Sequence, residues 1–146
     1  MEYDRYMVKA KCIETDEWVV GYYYKMAETT YCTFGDAPSV PVHHYILQET
    51  MTDWGLPNRM LRYEVDPDTL CQCTEFMDAY DNMIYENDLI KFTRNNKECF
   101  YQVVQDDNGY GFVVIDNKRE CDDGSLGYLI HLGDIEVIGN KFDEEK

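Results

Sequence analysis

Apolar and polar residues alternate along short stretches of the chain, as they do in strands that bury one face. Residues 6–13 alternate in this way, and residues 17–25 are almost all aromatic or β-branched, with Gly21 as an expected bulge or close approach. Further strand-like stretches follow at 43–48, 62–65, 70–74, 88–93, 98–105, 110–115, 126–132 and 135–138. No segment keeps apolar residues at helical spacing for three turns. The pattern therefore predicts an all-β, mainly antiparallel fold with at most short helical turns.

Turn-forming residues separate these stretches. Asn108 and Gly109 give the strongest hairpin signal, because Asn–Gly favours the two-residue turns that join antiparallel strands. Pro67 lies between two aspartates and predicts a turn or a cap. Residues 81–92 (DNMIYENDLIKF) predict a double corner that leads into a strand, since Asn and Asp tolerate the left-handed conformation. About ten short strands joined by such turns are typical of a barrel or a sandwich.

Residues 34–61 are harder to interpret. Residues 34–42 contain one Gly and two Pro and predict a loop. Residues 49–61 favour at most a short helical turn, because Gly55 and Pro57 would end it early. Trp54 lies in this stretch and has two interpretations. It packs against the edge of the core, which burial statistics favour, or it is an exposed contact residue of a protein-binding site.

Length and composition fit a small globular protein. The 146 residues correspond to one domain, or to two β lobes at about 1–70 and 71–140 followed by an acidic tail at 141–146. A chain of this length buries roughly 68–70% of its unfolded surface, enough for a core without metal or disulfide staples. The thirteen Tyr, six Phe and two Trp favour strands.

The charge narrows the range of partners. Asp and Glu number 29 against 13 Lys and Arg, so the formal net charge is −16. Such a surface repels nucleic acid and anionic membranes and attracts a protein with a basic surface. Only Lys91, Arg94 and Lys97 are clustered along the sequence. Direct binding to nucleic acid or to a membrane is therefore not expected, although an acidic surface often serves solubility alone.

The six cysteines do not predict a disulfide framework. Acidic residues interrupt the first twenty positions, so we expect no signal peptide, a cytoplasmic location and reduced thiols. Cys71 and Cys73 are two residues apart, as packed thiols on one strand face would be. The three histidines show no zinc-ligand spacing. We predict no metal and no cofactor.

Catalysis has no support in the sequence. The chain lacks a glycine-rich phosphate loop and a convincing pairing of a nucleophile with a histidine. Paired carboxylates occur at Asp106 with Asp107 and at Asp122 with Asp123. Pairs of this kind are more typical of solvated turns than of acid–base dyads or Mg²⁺ sites. We therefore expect a protein that is not an enzyme.

Five blocks of the chain resemble a known family. They occur in that family's order, at 17–22 (EWVVGY, with Trp18 and Gly21), 63–70 (YEVDPDTL), 72–78 (QCTEFMD), 84–90 (IYENDLI) and 136–140 (EVIGN, with Gly139). The family is the YopX-like proteins of bacteriophages and prophages. The resemblance implies a single YopX-like domain over 1–146, of phage origin, and an SH3-like barrel.

The resemblance also implies a structural role for residues 84–90. It implies an architectural corner in which Ile84 is buried, Asn87 makes the turn in place of the family's glycine, and Asp88 follows. Glu75 replaces a second family glycine and fits less well if that position needs a positive φ. Residues 34–61 are longer than usual for the family. This segment is where the protein would differ from its relatives.

Two functions remain open for a phage protein that acts by binding. One is an acidic inhibitor, a DNA mimic directed against a host defence enzyme such as a CRISPR or restriction nuclease. In it Asp106, Asp107, Asp122 and Asp123 would stand in for phosphates and Trp54 would be an anchor. The other is a self-associating structural or housekeeping module, and a binder of small molecules in a barrel mouth is a weaker third. Acidic residues occur in nearly every turn, which mildly favours a solubility role. We nevertheless place the inhibitor first and the self-associating module second, because a phage protein without catalytic groups must act by binding, and this preference rests on analogy with the family.

Overall fold

The computed structural model describes residues 4–31, 35, 38–106, 111–116 and 124–143. The chain divides into two compact units. The N-terminal unit is Met7–Leu70, and the C-terminal unit runs from Cys71 onwards and includes the first six residues. Strands within each unit pair antiparallel, so the all-β class is confirmed. An SH3-like barrel is not confirmed.

Four strands form the sheet of the N-terminal unit. They are β1 (Met7–Lys11), β2 (Trp18–Ala27), β3 (Val42–Thr50) and β4 (Arg59–Glu64), and their spatial order is β4-β3-β2-β1. A bridge between Cys12 and Val65 joins the chain just after β1 to the chain just after β4. The first and last strands of this unit, β1 and β4, are thus linked at one end.

The core of the N-terminal unit lies on one face of this sheet. Ala10, Ile46 and Val65 are fully buried, and half-buried aliphatic residues pack around them. Gly21 lies in β2 beside the backbone of β3. A Cβ atom at this position would be 2.2 Å from the carbonyl oxygen of Leu47, so no larger residue fits without moving the backbone.

The C-terminal unit contains a hairpin and a five-stranded sheet. The hairpin pairs β5 (Cys71–Met77) with β6 (Met83–Tyr85). The sheet has the order β10-β9-β8-β7-β11. Its strands are β7 (Asp88–Arg94), β8 (Lys97–Gln105), β9 (Phe112–Ile115), β10 (Gly124–Ser125) and β11 (Asp134–Asn140). The largest fully buried apolar side chains in the core of this unit are Ile84, Ile90, Val103, Val114 and Leu126.

One predicted strand is a helix. Leu126–Leu132 forms α1, whereas the apolar run had predicted a strand. The Ser125 hydroxyl accepts a hydrogen bond from the Tyr128 amide at 3.2 Å and so caps the helix. Leu126 and Leu129, three residues apart, are buried on one side of the helix. A seven-residue apolar run is compatible with a strand or with a helix, and the Ser125 cap favours the helix.

Cysteine pairing also differs from the sequence prediction at one position. Cys12, Cys71 and Cys73 are buried free thiols, as expected. Cys99, which lies buried in β8, is disulfide-bonded. Composition and compartment do not reveal which cysteines the fold brings together, so the expectation of uniformly free thiols was wrong there.

Two residues that replace family glycines adopt the left-handed conformation. Asn87 has φ of 68° and Glu75 has φ of 65°. Asn tolerates this region because its short side chain can bond locally, whereas for Glu the conformation costs about 1–2 kcal/mol. The Glu75 position therefore carries backbone strain.

Candidate protein-interaction surface

The corner at residues 84–90 is part of the core. The Asp88 side chain is fully buried. Its Oδ2 accepts a hydrogen bond from the Tyr85 amide at 2.8 Å, and its Oδ1 accepts one from the Asn140 amide group, also at 2.8 Å. This buried carboxylate joins the 84–90 block to the 136–140 block, since Asn140 ends β11. Both blocks therefore serve the architecture of the C-terminal unit.

Asn87 reinforces the same corner. Its backbone amide donates to the Val103 carbonyl at 2.7 Å, and its carbonyl accepts from the Lys141 amide at 2.9 Å. Its side-chain oxygen accepts from Gln102 at 3.3 Å. The residue thus connects β8 with the segment after β11. Gly139 lies at an irregularity in the pairing of β11 with β7.

Asp78 is a second buried carboxylate with a structural role. It accepts hydrogen bonds from the amides of Tyr80, Asn82 and Val137 at 2.8–3.1 Å. Burial alone would raise the pKa of Asp78, but these donors and the Asn82 side chain outweigh burial and lower the pKa. The carboxylate stays ionised and closes the turn between β5 and β6. The arrangement is typical of a structural turn rather than a general acid.

Among the described residues, the most exposed large apolar side chain lies at the tip of the β3–β4 hairpin. Trp54 is 96% exposed, contrary to the expectation that it packs against the core. Met51 at 71% and Leu56 at 56% are exposed in the same loop, and the Leu56 amide donates to the Asp53 carbonyl in the turn. We call residues 51–56 the Trp54 tip. Exposed Trp with Met is the composition of a protein-binding hot spot.

One face of the N-terminal sheet is rich in aromatic residues. The register places Tyr22 opposite Leu47 and Tyr24 opposite Tyr45, and cross-strand partners lie on the same face. On the next strand Arg62 lies opposite Leu47. The aromatic face, as we call it, comprises Trp18, Tyr22, Tyr24, Tyr45, Leu47, Met60 and Arg62, together with Lys9 and Lys11 of β1. The buried aliphatic core occupies the other face.

Cations lie over the aromatic rings of this face. The Lys9 and Lys11 ammonium groups are 4.8 Å and 5.6 Å from the Trp18 ring centroid, and the Arg62 guanidinium is 4.5 Å from that of Tyr45. These distances are within the range of cation–π attraction. Sequence reasoning missed this cluster because its members are far apart along the chain. Alternation within each strand was the signal that could have found it.

A histidine between two carboxylates borders the aromatic face. His43 Nδ1 is 2.7 Å from Glu64 Oε1, and Nε2 is 3.4 Å from Glu28 Oε2. The hydrogen bonds to Glu64 and then to Glu28 raise the pKa of His43. A neutral imidazole has a single N–H donor, whereas the imidazolium donates to both carboxylates. The protonated ring therefore ties β3 to β4 and to the end of β2.

The structure describes one of the four aspartates of the predicted acidic site. Asp106 is half-buried in the C-terminal unit, and its amide donates to the Gly111 carbonyl at 2.8 Å. The other three aspartates of the predicted site, Asp107, Asp122 and Asp123, lie outside the described residues. The predicted turn residues Asn108 and Gly109 also lie outside them. Trp54 belongs to the other unit. That these residues form one binding site therefore stays a prediction.

A small polar cavity is a further candidate site. A polar cavity of about 160 Å³ lies beside Tyr80, Asp134 and Ile135, next to Lys91, whose ammonium group pairs with Glu136 at 3.1 Å. Within the described ranges, no group of three or more His, Cys, Asp or Glu residues is arranged to hold a metal ion. In the same part of the chain, no helix is long and apolar enough to cross a membrane.

Comparison with known proteins gives one result. No curated protein and no solved structure matches the chain. A family model described as YopX protein matches residues 11–146, which is nearly the whole chain. That range includes β2, the buried corner at 84–90 and its partner strand β11. The chain therefore belongs to the YopX family.

Proposed function

We propose that this protein acts by binding another protein and that it does not catalyse a reaction. The observation that carries this proposal is the Trp54 tip, where three large apolar side chains are held in water at the end of a hairpin. The aromatic face beside it adds Tyr and Arg, which are enriched at protein interfaces.

The Trp54 side chain is the natural anchor of such an interface. Truncation of an interface hot spot costs about 2–4 kcal/mol, and Trp is among the residues most often found there. That range corresponds to a loss of roughly 30- to 1,000-fold in affinity. Met51 and Leu56 are expected to exclude water around the ring.

The charge of the chain favours a basic partner. The C-terminal unit carries 19 acidic and 8 basic residues, and residues 7–70 carry 10 and 5. Membership of the YopX family suggests a protein of the phage type. We infer that the partner is a host or phage protein with a basic surface. Within that class, an inhibitor of a host defence nuclease that mimics DNA is the specific function that the net charge favours.

Affinity capture from host lysate tests the proposal. Tagged wild type, Trp54→Ala and Tyr128→Ala are compared, because Tyr128 is an exposed aromatic of the other unit. A partner held by wild type and Tyr128→Ala but lost from Trp54→Ala is the expected result. A partner that all three proteins retain equally would place the contact elsewhere, and no partner in any host lysate would overturn the proposal.

Mimicry of DNA needs its own variant. Changing Asp106, Asp107, Asp122 and Asp123 to Asn removes four charges and leaves the Trp54 tip intact. If the carboxylates act as phosphates, this variant releases a basic partner at lower salt than wild type does. An unchanged salt dependence would reject mimicry through these residues, and binding through Trp54 would remain.

A further inference from the structure

The outer edge of β4 faces no described strand at Met60–Arg62. β4 is the last strand in the order β4-β3-β2-β1. The bridge to Cys12 covers only its end, where the Ile13 amide donates to the Glu64 carbonyl at 3.0 Å. Among the described residues, no backbone group bonds the outer edge at Met60 or Arg62. An open edge with exposed Met60 and Leu61 is a template for another strand.

The direction of each backbone group follows from one hydrogen bond. The Val65 amide donates to the His44 carbonyl at 2.9 Å, so Val65 faces β3. Alternate residues of an antiparallel strand bond to the same neighbour, and therefore the odd-numbered residues of β4 bond to β3. The amides and carbonyls of Met60 and Arg62 point away from the sheet, where no described backbone group bonds them.

We propose that two copies of this chain pair antiparallel through β4, with Leu61 on the two-fold axis. In such a pair, residues whose numbers sum to 122 lie opposite each other. Leu61 then meets Leu61 of the other copy, Arg59 meets Tyr63, and Met60 meets Arg62. Each polar residue faces an aromatic or aliphatic partner, and Met60 and Arg62 exchange their outward hydrogen bonds.

The neighbouring register is less favourable. With Arg62 on the axis, two guanidinium groups would lie directly opposite each other, which destabilises a strand pair. A two-fold axis normal to the sheet keeps each face continuous, so only same-face residues can pair. With Met60 on the axis, β4 would pair over Arg59–Leu61 alone, because the strand begins at Arg59, and that register is therefore also less favourable. Six residues a side is well below a standard interface, so a weak dimer is expected, with a dissociation constant on the order of tens of micromolar.

Position-specific crosslinking tests the register. Leu61→Cys places two thiols in a non-hydrogen-bonded pair, where the Cα atoms are about 4.5 Å apart and a disulfide fits. Tyr63→Cys on the same strand places its two thiols about 13 Å apart along the axis, too far to join. Under mild oxidant the first variant should form covalent dimers and the second, like wild type, should not. Equal crosslinking of both variants, or none in either, would overturn the proposal.

Sedimentation analysis tests the backbone pairing independently. Met60→Pro removes an outward amide, which an edge strand tolerates because no bond to β3 is lost, and it should leave the protein monomeric. Met60→Ala keeps that amide and should retain a concentration-dependent dimer. A wild type that stays monomeric at several hundred micromolar, or a Met60→Pro variant that still dimerises, would reject the β4 pairing. Trp54→Ala should leave the dimer unchanged, so this result and the partner-binding result are separable.

Discussion

Asn140→Ala is the substitution that most sharply probes the family corner. Asn140 is 3% exposed, and its amide group donates to the fully buried Asp88 carboxylate at 2.8 Å. Its side-chain oxygen accepts a hydrogen bond from the Phe142 amide at 3.0 Å. The amide group also donates a longer hydrogen bond to Cys71 Sγ at 3.8 Å. The truncation removes all three bonds and takes one donor away from a carboxylate that water does not reach.

The expected magnitude follows from these contacts. A hydrogen bond to a charged group contributes about 1.5–3 kcal/mol, and a buried group that loses its partner adds a desolvation cost. We expect Asn140→Ala to lower the free energy of unfolding by about 2–4 kcal/mol, a large share of the roughly 5–15 kcal/mol of a typical domain. Asn58→Ala is the matched control. Asn58 is exposed and, among the described residues, bonds the Glu49 side chain alone, so its change should stay within about 0.5 kcal/mol.

Urea denaturation followed by far-ultraviolet circular dichroism measures both variants. A double-mutant cycle with Asp88→Asn isolates the pair, and a coupling energy of at least about 1 kcal/mol is expected because the two side chains are in direct contact. If Asn140→Ala costs no more than Asn58→Ala, or the cycle shows no coupling, the corner is not held by this carboxylate and the reasoning fails.

Three further predictions concern the backbone and pH. Gly21→Ala should destabilise by about 1–3 kcal/mol by overpacking against β3, whereas Gly124→Ala, in open space, should change the urea midpoint little. Glu75→Gly should stabilise by about 0.5–1 kcal/mol by relieving a positive φ, and a lower urea midpoint would refute this. The raised pKa of His43 stabilises the fold fully below about pH 6.5, and this stabilisation is lost as pH rises through the folded pKa. His43→Gln should remove that loss from the pH dependence of the urea midpoint, and an NMR titration would give the pKa directly.

Local pattern was enough to predict most of the strands and the corner. Alternation gave β1 and β3 nearly in place, and the chemistry of Asn accounts for the left-handed turn at Asn87. The partner of the corner could not be read from sequence, because Asp88 and Asn140 are 52 residues apart and only folding brings them together.

Most of the interaction surface could not be predicted from the sequence. Burial statistics favoured a packed Trp54, but those statistics average over sites and do not show that the β3–β4 hairpin extends its tip into water. The cations over Trp18 and Tyr45 lie on β1 and β4, and the rings lie on β2 and β3, so the cluster depends on a pairing of four strands that the sequence does not specify. The helix Leu126–Leu132 was missed because a short apolar run has no decisive period.

Hydrogen–deuterium exchange, with and without the partner recovered by capture, tests the central claim most directly. If the protein binds through its N-terminal unit, amide exchange should slow across residues 51–58 and in the neighbouring strands β3 and β4 when the partner is added. Slower exchange confined to residues 71–143, with no change at the Trp54 tip, would contradict the account.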